Sequence, residues 1–213
     1  MKIGWDTSHL EFTIADYYYF GKLSDLLLNS GFLVDEVKDF DTLNRYDTIV
    51  FNYPEKPFND AEVNKIDSWV RQGKVVIFAG YYKNEDGVGE NINGITKHFG
   101  LTLNLSEALD QSSEDPYFVN VVSRTGLRGV FPCTDTVSGG EAILTSKVGN
   151  VGCQIKLGMG KLVLLGSCVF WDSFSLHLAD NATIATTNDG YNFANNLYFF
   201  IKGKRLVFWV VGF

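Results

Sequence analysis

The sequence predicts an α/β protein: a doubly wound, mostly parallel sheet with helices on both faces and an antiparallel addition in its second half. Three observations lead there. Strand-like and helix-like segments alternate over the first hundred residues, the order expected of right-handed β–α–β crossovers. Two strands, Asp47 to Asn52 and Val75 to Ala79, are apolar on both faces, as strands are when helices cover a sheet from both sides. The stretch from Leu101 to Val148 breaks the alternation and is rich in Ser, Thr, Gly and Asp.

Ile3 to Trp5 is a short apolar strand, followed by the polar loop Asp6 to Glu11. Ala15 to Leu28 has helical spacing, with Tyr19, Leu23, Leu26 and Leu27 on one face and a stop at Asn29-Ser30-Gly31. Phe32 to Val37 is the second strand and Asp47 to Asn52 the third. Asn59 with Glu62 three residues later is a capping-box pattern, with Asn in place of the usual Ser or Thr. That helix carries Val63, Ile66, Trp69 and Val70 and ends at Gly73. Val75 to Ala79 is the fourth strand, and Asn91 to Phe99 a further helix closed by Gly100. In the middle stretch, Phe118-Val119, Val130-Phe131 and Ala142 to Leu144 read as antiparallel additions or long loops. Val151 to Leu157 and Lys161 to Leu165 flank Gly158-Met159-Gly160, a hairpin turn. A last helix is expected from Asn188 or Asp189 to about Gly203, and a last strand from Arg205 to Val211. No repeat or linker interrupts the chain, so residues 1–213 read as one domain.

The formal charge of −7 argues against nucleic acid as a partner, because phosphate binding needs a basic field. No leader-like segment precedes the first strand, and the longest apolar run, Leu206 to Phe213, falls far short of the ~20 residues that cross a bilayer. Cys133, Cys153 and Cys168 form no metal or redox spacing and read as reduced, mostly buried thiols. A cytoplasmic protein without membrane contact is expected. The apolar tail, if exposed, would pair with another chain, so a homo-oligomer is one expectation.

Asp6-Thr7-Ser8-His9-Leu10-Glu11-Phe12-Thr13 resembles the opening of a group in which an Asp-x-Ser-His-x-Glu loop follows the first strand. Four further stretches fit in the same order: Tyr46 to Val50, Phe58 to Val63, Trp69 to Lys74, and Gly158 to Gly166. So does Phe193-Ala194-Asn195-Asn196-Leu197. On these segments the chain resembles a non-catalytic branch of the class I glutamine amidotransferase-like superfamily. That branch includes domains of gliding-motility and intraflagellar-transport proteins and the β-galactosidase trimerisation domain. The resemblance implies a flavodoxin-like sheet. Catalytic members of the wider fold carry a Cys just after the fourth strand and a His-x-Glu pair after a late strand. Here those places read Ala79-Gly80-Tyr81-Tyr82 and Ser167-Cys168-Val169-Phe170-Trp171-Asp172. A phenol is protonated at pH 7 and a poor nucleophile, so no amidotransferase chemistry is expected.

Ligands of open α/β sheets bind outside the carboxyl ends of the strands. Four loops should meet there, bringing Asp6, Ser8, His9 and Glu11 together with Asn52, Tyr53, Glu55, Tyr81, Tyr82, Glu85, Asp86, Trp171 and Asp172. Rings beside carboxylates and amides suit a small polar ligand such as a carbohydrate, and suit a protein surface equally well. Each residue also has a bland role: Asp6 and Ser8 as turn caps, His9 as a hydrogen-bonded loop histidine, Trp171 as core. Asp-x-x-His-x-Glu is a poor match to metal-ligand spacing, and no phosphate-binding or dinucleotide-binding motif occurs, so neither metal nor cofactor is expected. The leading expectation is a non-catalytic binding or assembly module. The alternative is a hydrolase of a sugar or amide, with His9 as base beside nearby carboxylates.

Overall fold

Half of the strand pairings in the main sheet are antiparallel, which overturns the expectation of a mostly parallel, doubly wound, flavodoxin-like α/β fold. The computed structural model describes residues 1–172 except Ser30, Thr125 and Leu127, and leaves out the side chains of Tyr17, Tyr18 and Leu26. The final helix and tail expected beyond residue 188 lie outside the described residues.

The strands of the first half are β1 (Lys2–Asp6), β2 (Leu33–Val37), β3 (Thr48–Asn52) and β4 (Val75–Ala79), with β5 (Thr102–Leu103) after them. The second half adds β6 (Phe118–Ser123), β7 (Arg128–Pro132), β8 (Val137–Ser138), β9 (Glu141–Ser146), β10 (Gly149–Leu157) and β11 (Gly160–Leu165). Nine of these form one sheet in the order β2-β1-β3-β4-β11-β10-β9-β6-β7, and β5 pairs with β8 separately. β1 with β2, β1 with β3, β3 with β4, and β4 with β11 run parallel. β11 with β10, β10 with β9, β9 with β6, and β6 with β7 run antiparallel. The sheet is therefore mixed.

The α-helices among the described residues are α1 (Tyr17–Asn29), α2 (Asp60–Arg71) and α3 (Val88–Thr96). All three precede residue 100. α1 links β1 to β2, and α2 links β3 to β4. The chain then makes a long excursion through α3 and the antiparallel strands before β11 returns beside β4. Short connections such as the β10–β11 turn need no helix, and among the described residues the second half has no α-helix to cover its sheet.

Local chemistry explains the elements. Asn59 Oδ1 accepts from the backbone N–H groups of Ala61 and Glu62, while Glu62 Oε2 accepts from the Asn59 N–H at 2.8 Å, completing the expected capping box of α2. Ile66, Trp69 and Val70 are its buried face. α3 starts three residues earlier than expected and continues as a 3-10 turn, Lys97–Phe99, into Gly100 at φ 81°. The hairpin between β10 and β11 turns on Gly158 (φ 58°) and Met159, with Leu157 opposite Gly160. β3 is buried along its whole length, and one apolar cluster runs from Ile3 and Trp5 through β3, β4 and β11 to Val119, Phe131 and Leu144.

Candidate functional site

The loop after β1 folds back on itself through its own polar side chains. Ser8 Oγ donates to Asp6 Oδ1 at 2.8 Å, and His9 Nδ1 lies 2.8 Å from Asp6 Oδ2. The backbone N–H of His9 donates to Glu11 Oε2 at 2.9 Å. Asp6, His9 and Glu11 are all buried. Burial, then the charge of Asp6, then a hydrogen bond to Asp6 push the Glu11 carboxyl up to about 10. At neutral pH Glu11 is therefore held as a carboxylic acid beside the Asp6 carboxylate. The His9 ring stacks on Phe58 with centroids 3.9 Å apart and meets the edges of Phe40 and Phe51. Its Nε2 stands 3.6 Å from Glu62 Oε2, beside the start of α2. The His9 carbonyl accepts from Glu55 and Lys56 in the loop after β3. The motif is a clasp that ties the ends of β1, β3 and α2 together.

Two chemistries can be weighed at this clasp. A Ser–His–Asp catalytic triad needs the hydroxyl on one ring nitrogen and the carboxylate on the other. Here Ser8 Oγ (3.0 Å) and Asp6 both face Nδ1, which is not that arrangement. Ligand atoms of Asp6, His9 and Glu11 also lie within 4.8 Å of one another, so the three could hold a metal. The Glu11 proton and an Nδ1–H directed at Asp6 already offset the charge that two buried carboxyls would otherwise leave unpaired.

A cavity of about 200 Å³ opens beside the clasp, at the carboxyl ends of β1, β3, β4 and β11. Phe12, Tyr19, Phe20, Tyr53, Tyr81, Glu85, Cys168, Val169 and Asp172 line it. The order β2-β1-β3 places the point where the chain switches sides of β1 at this end. Tyr53 takes a left-handed backbone (φ 64°), and its hydroxyl donates to Asp86 Oδ2 at 2.9 Å. Burial and that bond to Asp86 raise its phenol well above the ordinary range. Lys83, Asn84 and Asp86 share positive φ, so the loop holding Glu85 is strained.

At the turn after β4 stands Tyr81. Burial raises its phenol, and so does a hydrogen bond to Cys133, whose residue sits at φ 45° just past β7. Burial also raises the Cys133 thiol, which the Tyr81 bond offsets only in part. Cys168 is raised further by complete burial and by Asp172. Both sulfurs are thiols at neutral pH, not thiolates. The histidines among the described residues lie elsewhere: His9 under Phe58, and His98 against Phe99.

The expected rim thus separates into parts. Tyr53, Tyr81 and Asp172 line the cavity, together with Glu85. Asp6, Ser8, His9 and Glu11 form the clasp. Asn52 and Trp171 are buried beneath, the indole N–H donating to Asn52 Oδ1 at 2.9 Å. Tyr82 packs edge-on to Tyr81 and carries the Lys83 ammonium over its ring; Glu55 and Asp86 are exposed. Cys168 and Val169 come from the expected loop Ser167 to Asp172, whereas sequence reasoning missed Phe12, Tyr19 and Phe20 as cavity walls. Phe12 directly follows the recognised motif, which was a usable signal. Tyr19 and Phe20 look like an ordinary apolar helix face.

Fold and site together define a mixed-sheet domain with a buried Asp-x-Ser-His-x-Glu clasp and an aromatic, acidic strand-end cavity. The chain belongs to the family of an uncharacterised protein of Aquifex aeolicus (strain VF5), with which it is 39% identical across 85% of this chain and 89% of the relative. No family model matches it. Among solved structures it is similar in fold to the mmIFT52 N-terminal domain, with a TM-score of 0.70, 19% identity, and coverage of 89% of this chain and 99% of that one. It is also similar to a β-galactosidase from Rahnella sp. R3, with a TM-score of 0.53 and 15% identity over 78% of this chain and 28% of the enzyme. An exo-β-1,4-mannosidase, Op5Man5 from Opitutaceae bacterium strain TAV5, matches at a TM-score of 0.51 and 9% identity, over 86% of this chain and 33% of that one. Among the described residues no helix is long and apolar enough to cross a membrane.

Proposed function

We propose that the protein is a non-catalytic recognition module of the amidotransferase-like kind, which uses the strand-end cavity to hold a small ligand or a partner's side chain. The carrying observation is the turn after β4. A phenol, Tyr81, fills the nucleophile's place, and the sulfur it touches, Cys133, is a protonated thiol. The cavity alongside is of a size for a small molecule. The likeness to the mmIFT52 N-terminal domain supports a role in protein assembly, including self-association.

The hydrolase reading has less support. His9 is buried under Phe58 and is absent from the cavity wall, whereas a general base must reach its substrate. Ligand-observed NMR with a fragment library tests the proposal. Fragments should bind the intact chain and lose contact in Tyr81→Ala. Turnover of a glycoside or amide substrate that disappears in His9→Gln would overturn it.

A further inference from the structure

Resting on that reading, we infer that the cavity selects a small organic cation, an alkylammonium compound, rather than a neutral sugar. Its walls carry five aromatic rings, from Phe12, Tyr19, Phe20, Tyr53 and Tyr81. Besides its tyrosines and Cys168, its ionisable lining among the described residues is the carboxyl pair Glu85 and Asp172, with neither Lys nor Arg. A sugar hydroxyl needs donors as well as acceptors. The Tyr53 hydroxyl donates to Asp86 at 2.9 Å, so what this residue offers the cavity is ring surface. Ring faces beside carboxylates complement an ammonium group held over π-systems.

The rim shows the same preference within the protein itself. Lys83 pairs with Glu107 Oε1 at 2.7 Å and lays its ammonium over the Tyr82 ring at 5.0 Å and the Tyr117 ring at 5.7 Å. The strained turn around it fixes Glu85 at φ −53° between left-handed neighbours. A volume of about 200 Å³ suits a compact head such as trimethylammonium with a short tail.

Choline and its neutral isostere 3,3-dimethylbutan-1-ol separate charge from shape. Calorimetric titration of the full chain should show choline binding at least ten-fold more tightly than the isostere. Glu85→Gln, an exposed position, should remove most of that difference, with Asp172→Asn as a second variant. Equal affinity for the two probes would overturn the cation assignment while leaving a binding cavity in place. Binding of neither would also overturn it, and the fragment screen would then decide the recognition reading separately.

Discussion

At the scale of single residues, the clasp after β1 is where charge and burial conflict most. Glu11 is held as an acid by burial and by Asp6, with its proton retained to about pH 10 against an ordinary value of 4.5. Between those values the unfolded chain releases the proton and the native protein keeps it. Stability therefore falls as pH rises through that window, by at most about 1.4 kcal/mol per pH unit. Urea midpoints measured from pH 5 to pH 9 should fall in the native sequence and fall less steeply in Glu11→Gln. Equal slopes would mean that Glu11 holds no proton for Asp6. Asp6 is the hub of the clasp, accepting from Ser8 and His9. Asp6→Ala strands those buried donors and should cost about 2–4 kcal/mol, read as a lowered urea midpoint at pH 7. The motif was legible in the sequence as a turn with a histidine and carboxyls. Its burial was not, because burial comes from Phe40, Phe51 and Phe58, which arrive from other elements.

At the scale of elements, sequence reasoning succeeded where a local rule fixes the answer. The Asn59–Glu62 pattern became a capping box, and Asn59→Ala should cost about 1 kcal/mol by thermal or urea denaturation. The strands apolar on both faces became β3 and β4, and the glycine-rich turn became the β10–β11 hairpin. That turn packs against α2: a Cβ at Gly160 would come within 2.2 Å of the Lys74 and Val70 carbonyl oxygens. Gly160→Ala should lower the melting temperature by several degrees, since backbone, not a flexible side chain, must move. The reasoning failed on the balance of the sheet. β6 and β9 are short, and their mixed Ser, Thr and Asn content conceals that they extend the sheet instead of looping over it. Their direction depends on β9 pairing with β10 and β6 with β9, about which no single segment carries information.

At the scale of the whole molecule, the open matter is whether a parallel half and an antiparallel half behave as one body. We read them as one unit. β11 pairs with β4 on one side and β10 on the other, and a single apolar cluster includes Phe78 of β4, Leu164 of β11, Cys153 of β10 and Val121 of β6. Burial alone pushes the Cys153 thiol up to about 11, as expected deep in that shared core. The tryptophans provide a test. Trp5, Trp69 and Trp171 belong to the parallel half and its neighbourhood, and the fourth, Trp209, lies outside the described residues. Fluorescence therefore weights the parallel half, whereas far-UV circular dichroism also reads β6, β7, β9 and β10. If the sheet unfolds cooperatively, the two signals share one urea midpoint and one slope. A dichroism transition that is separate from the fluorescence one would divide the chain at the β10–β11 hairpin. The cavity, which draws on β1, β3, β4 and the segment after β11, would then belong to the parallel unit alone. The thiol of Cys133, carried in from β7 to meet Tyr81, argues for the cooperative outcome, because the turn after β4 is completed by a residue from the antiparallel half.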